Sequence, residues 1–153
     1  MTRALLVMLV AAACGGQTAP ATSPAPTSQQ EPGAPTAKAA VTTFMAAIKS
    51  QDLDQLAVIW GSKDGPARDV TPKDQLRQRE LIIQCYFRHD SYTVTSDVES
   101  SAGMHTVQIS VTWKDITRDT KMQVVTGPHG RWYVNNMDLA PLQPICAGQN
   151  PTK

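Results

Sequence analysis

Residues 105–114, HTVQISVTWK, alternate along their whole length. His105, Val107, Ile109, Val111 and Trp113 fall on one side, and Thr106, Gln108, Ser110, Thr112 and Lys114 on the other. A period of two, rich in β-branched residues, is a strand with one core face. Upstream, Tyr92, Val94, Ser96 and Val98 repeat the pattern against Thr93, Thr95 and Asp97, and residues 100–103 supply a turn. Downstream, a third strand over about residues 118–126 has Met122 and Val124 inward. Gly127-Pro128-His129-Gly130 connects it to a fourth strand over residues 131–137. The tail from Ala140 onward has no period and is expected to be irregular.

Before the strands the period is 3.6. Ala37, Val41, Phe44, Met45 and Ile48 form one apolar stripe of a helix over residues 37–50. A second helix is expected over residues 53–60. Asp52 is its N-cap, Gln55 completes a capping-box pattern, and Gly61 is the stop. Residues 62–70, SKDGPARDV, are turn chemistry and predict a surface loop. Thr71-Pro72-Lys73-Asp74 then combines a cap, a proline at the first helical position and an early acid. The third helix runs to about Tyr86. Its polar QLRQRE gives way to the apolar LIIQCYF, so its second half is expected to be the buried one. Helices followed by strands give an α+β class, with N-terminal helices packed on a curved four-stranded antiparallel sheet. The domain spans residues 37–140, followed by an irregular tail, 141–153.

The N-terminal segments have other work. Arg3 and the apolar run Ala4 to Val10 read as a short secretory signal, too short to span about 30 Å of hydrocarbon. Ala11-Ala12-Ala13 and then Cys14-Gly15-Gly16 resemble a bacterial lipobox, with Ala11 where leucine is usual. That resemblance implies a signal over residues 1–13, removal of that signal, and diacylation of Cys14. The membrane is then a partner through lipid. The location is the cell envelope, facing the periplasm or the outside, with the outer membrane favoured where a cell has one. Residues 14–36 form a tether. Its Pro/Ala/Thr/Ser composition cannot repay the entropy of ordering, so it is expected to stay disordered and extended.

Composition excludes several classes. With 14 Lys+Arg against 13 Asp+Glu the charges nearly balance, which argues against a nucleic-acid partner. The three histidines, His89, His105 and His129, have no metal-ligand spacing, and no phosphate loop or nucleophile elbow occurs. No metal and no organic cofactor is expected.

The order of elements resembles the nuclear transport factor 2-like, or cystatin-like cone, superfamily. The matching features are the first helix ending in Ala-Ala-Ile-Lys-Ser, the Gln51-Asp52-Leu53 link into a short helix ending at Trp60, and the terminal Gly130-Arg131-Trp132-Tyr133-Val134. The resemblance covers about residues 37–139 and implies a sheet curled around the first helix to leave a conical pocket. Members include isomerases and dehydratases as well as binding domains, so fold alone assigns no activity.

Candidate pocket residues are Phe44, Trp60, Tyr92, Val107, Ile109, Trp113, Trp132 and Asn136. Ser96, His105, Thr120 and Asn136 are the polar residues expected inward, with Asp138 on the same parity. A catalytic set is not evident, and His105 with Asp138 is the acid–base pair to test first. The reading is a non-enzymatic, membrane-anchored envelope domain binding a small apolar ligand or an envelope protein. Its rivals are a small cone enzyme of isomerase, dehydratase or hydrolase type, and a scaffold homodimerising through the sheet's outer face. With Cys14 lipidated, Cys85 and Cys146 remain, an even pair in an oxidising compartment. A disulfide between them would hold the tail down.

Overall fold

The structure is a computed structural model and describes residues 31–148. The expected signal, Cys14 and the first part of the tether lie outside the described residues.

Helix α1 (Ala37–Ser50) starts where Thr36 accepts a hydrogen bond from the Ala39 amide, and its stripe of Val41, Phe44, Met45 and Ile48 is buried. It ends at Gln51, whose left-handed conformation (φ 58) lets its amide reach the carbonyls of Ala47 and Ile48. Helix α2 (Leu53–Ile59) is capped by Asp52, which accepts from the Gln55 amide at 2.9 Å. Gly61 does not stop this helix in a left-handed turn. It opens strand β1 (Gly61–Ser62), paired with β2 (Gly65–Pro66), and a Cβ there would collide with the Gly65 carbonyl. A four-residue helix, α3 (Ala67–Val70), follows. The segment expected as a surface loop is therefore a small hairpin and a helical turn that bury Gly65, Pro66 and Ala67.

Helix α4 (Lys73–Tyr86) has Pro72 at its cap position and no side-chain cap, so Thr71 does not play the expected part. Its burial also departs from the expectation. Leu76, Glu80, Ile83 and Phe87 face inward, while Leu81 and Ile82 are each 51% exposed. The helix is seated by a stripe at spacings of four, three and four, and Leu81 and Ile82 fall off that stripe however apolar their half of the helix is.

Four antiparallel strands form the main sheet in the order β3 (Ser91–Ser101), β4 (Met104–Trp113), β5 (Ile116–Thr126), β6 (Trp132–Met137). Val107, Ile109, Val111, Met122, Val124 and Val134 make its buried face. Three register shifts break the simple alternation, one of them at the β3–β4 turn between Glu99 and Ser101. Thr95 is an extra residue between Val94 and Ser96, so beyond it Asp97 lies opposite Val107 and Val98 opposite Thr106. Val98 therefore points outward, 57% exposed, against its expected place. The shift at Asn135 puts Asn136 opposite Gln123, on the outer face with Thr106. Asn136 is not an inward residue.

The last described residues are also ordered. A 3-10 turn (Ala140–Leu142) and helix α5 (Gln143–Ala147) plant Leu142 and Ile145 in the core. The irregular tail is thus, up to Gly148, part of the fold. Cys85 and Cys146 form a disulfide.

Residues before α1, read from sequence as tether, pack against the domain. Ala34 exchanges backbone hydrogen bonds with Trp132 at 2.9 and 2.8 Å, extending the sheet edge, and Arg131 Nη2 donates to the Gly33 carbonyl at 2.8 Å. Gly33 requires glycine twice over: its φ is +76, and a Cβ would meet the Tyr133 ring at 2.8 Å.

Candidate functional site

The interior of the helix-and-sheet body is filled. Phe44 and Phe87 meet edge to face at 5.5 Å, and both are fully buried with Met45, Ile109 and Met122. Among the expected pocket residues, Phe44, Val107 and Ile109 are packed in the core. Tyr92 and Trp113 lie toward one end of the sheet, Trp132 at the opposite end. All are half-buried at the margin of the core. Trp60 is likewise marginal, its indole Nε1 donating to the Asn135 carbonyl at 3.2 Å. The expected set is thus divided between the core, its margins and, for Asn136, the outer face.

His105 and Asp138 are not brought together. His105 Nδ1 lies 2.6 Å from Asp97 Oδ1, and its ring stands edge-on to Trp132 at 5.0 Å. Asp138 is further along the sheet, its amide donating to the Lys121 carbonyl and its own carbonyl accepting from Thr120 Oγ1. The bulge at Thr95 turns Asp97 to the His105 side, which strict alternation from Tyr92 could not reveal. The Asp97 carboxylate accepts from the Nδ1 side of the ring and orients the imidazole. The dyad lies on the half-exposed margin. The outer face of the sheet is polar, with a trough of about 400 Å³ lined by Thr106, Lys121, Gln123, Asn136, Met137 and Asp138.

The other end of the sheet carries a cleft of about 240 Å³. It is lined by Ile48, Lys49 and Gln51 from the end of α1, Gln84 of α4, Arg88 and His89 after it, and Trp113 of β4. The Arg88 guanidinium sits 5.1 Å from the Trp113 ring centroid, and Lys114 Nζ approaches the same ring at 5.7 Å. Lys49 Nζ donates to the Asp90 carbonyl at 2.8 Å. The Asp90 carboxylate accepts from the Lys114 amide, tying the strand end to the helix exit. His89 is 6% exposed and close to the Phe87 carbonyl, 2.9 Å from Nδ1. Burial holds its pKa below the usual 6.5, Lys49 adds to that, and the Phe87 and Asp90 contacts oppose it. The neutral ring then gives Nδ1–H to Phe87 and keeps Nε2 as an acceptor. Sequence offered one signal, a dense Arg88-His89-Asp90 between helix and strand, but nothing in it placed Trp113 alongside.

Among the described residues, no three of His, Cys, Asp and Glu are grouped to hold a metal ion, and no helix is long and apolar enough to cross a membrane. No family model, curated protein or solved structure matches the chain.

Proposed function

We propose that this chain is a lipid-anchored envelope domain, nuclear transport factor 2-like in fold, that binds a partner at its surface and performs no chemistry of its own. The anchoring rests on the charged, apolar and small-residue succession ending in Cys14. Two or more acyl chains hold a protein to a bilayer durably where one holds it only marginally. The fold assignment rests on the element order and on helices covering one face of a four-stranded antiparallel sheet.

The observation that favours surface binding is the filled interior. Phe44, Met45, Phe87, Met122, Leu142 and Ile145 occupy the volume a small apolar ligand would need. A partner protein therefore suits this chain better than a ligand inside the cone. The titratable residues are also dispersed, with His105 and Asp97 at one margin and His89 at the other end. Acid–base catalysis needs such groups around one bound substrate. Native mass spectrometry of the protein taken from its own host's envelope tests the proposal. The expected species is the lipidated chain with a retained protein partner. A stoichiometric small apolar molecule held by the domain would contradict it, and a bare homodimer would favour the scaffold.

A further inference from the structure

The cleft between α1, α4 and the end of β4 is built to hold an anion. We infer that Lys49, Arg88 and Trp113 form a binding site for a soluble oxyanion, a carboxylate or phosphoryl group carried by a small ligand. None of the seven residues lining it is acidic. The Arg88 guanidinium is positioned on the Trp113 indole, yet among the described residues it makes no hydrogen bond or ion pair. An arginine held against an aromatic ring with its donors uncommitted is available to a planar or tetrahedral oxyanion. Lys114 is drawn to the same ring, so two cations share one indole. The Asp90 carboxylate beside them is engaged by the Lys114 amide. Gln84, also on the cleft wall, has a shielded amide nitrogen with no partner among the described residues.

Lys49 in the last turn of α1 and Arg88 just past α4 also sit where helix carbonyls favour positive charge. That accounts for their sign. It does not account for a guanidinium drawn onto Trp113 with its donors free among the described residues, which an exposed helix end does not require. A bound anion would use those donors.

The test uses the full chain in detergent, followed by proton–nitrogen NMR while inorganic phosphate or acetate is added. Chloride at matched ionic strength serves as the reference. Saturable shifts are expected at the Trp113 indole and the Arg88 Nε–H, with the Trp60 and Trp132 indoles unmoved. Saturation by phosphate alone identifies a phosphoryl ligand, and by acetate alone a carboxylate; either supports the site. Arg88→Met and Lys49→Met should each weaken binding about tenfold, the scale of one charge-assisted hydrogen bond. Arg88→Lys should recover part, and Lys63→Met none of the loss should appear. Spectral dispersion reports whether each variant folds, and Trp113→Phe gives an independent reading if Arg88→Met does not. Shifts that never saturate, or that chloride reproduces, overturn the inference. The result is separable from anchoring, because a Cys14→Ser chain should bind the anion unchanged.

Discussion

Cys85, in the last turn of α4, is bonded to Cys146 of α5 across 5.0 Å between Cα atoms, although the two are 61 residues apart in the chain. The bond staples the C-terminal segment to the helix whose inner face seats Ile83 and Phe87. In the chain-entropy account, closing a loop of this length stabilises the fold by about 4 kcal/mol. Cys146→Ser should therefore lower the midpoint of thermal unfolding clearly while far-ultraviolet circular dichroism keeps its helix and strand signature. Hydrogen exchange should accelerate most in residues 139–148. Unchanged exchange there would show that Leu142 and Ile145 hold the segment unaided.

Glu80 is 3% exposed, its Oε1 has no partner among the described residues, and the Arg77 guanidinium stands 3.9 Å from its other oxygen. Burial raises its pKa above 4.5 more than Arg77 lowers it, and Asp54 adds to the rise. The folded state then holds a proton that the unfolded chain releases, so this group's contribution declines as pH rises from 4.5 through the folded pKa. Glu80→Gln should stabilise the protein at neutral pH by about 1 kcal/mol, the low end for removing a poorly paired buried charge. Denaturant unfolding of both proteins across pH checks this. A destabilised variant at neutral pH would mean that Arg77 compensates the carboxylate fully.

His89 gives the opposite slope. Its pKa is depressed in the fold, so as pH falls below 6.5 the unfolded chain takes up a proton first and stability drops. His89→Gln should flatten that part of the profile. Its Tyr92 contact, ring to ring at 5.4 Å, is lost at the same time. The diagnostic reading is therefore the slope and not the absolute stability. An identical slope below 6.5 in the variant would contradict the assignment.

The elements legible in the sequence were those whose apolar pattern was unbroken. The α1 stripe and the β4 alternation occur as read, and so does the antiparallel order of four strands. What escaped was set by single residues. The extra Thr95 exchanged the faces of Asp97 and Val98, and a bulge carries no fixed sequence mark when both neighbours are small and β-prone. On α4 the composition of LIIQCYF outweighed its spacing, which seated Glu80 inside and left Leu81 and Ile82 out. The cleft was invisible because its parts come from residues 48–51, 84–89 and 113, joined only by the fold. The order of residues 31–36 depends on Arg131 and Tyr133, about a hundred positions later.

Those last contacts are testable. Arg131 donates to the carbonyls of Pro32 and Gly33, and Tyr133 lies against Gly33. Arg131→Met should free the segment before α1, seen as faster proteolysis and hydrogen exchange in residues 31–36. The Ala34–Trp132 backbone pairing remains, so global stability should fall by only about 1 kcal/mol. Protection equal to that of the unaltered chain would show that this pairing suffices.

The most direct test of the account is the intact mass of the protein isolated from its host's membrane fraction, measured without reduction and then after reduction. The account predicts a chain that begins at Cys14, carries the mass of two or more acyl chains there, and gains two hydrogens on reduction of Cys85–Cys146. A chain that retains residues 1–13, or one with Cys14 unmodified and recovered in the soluble fraction, would contradict it.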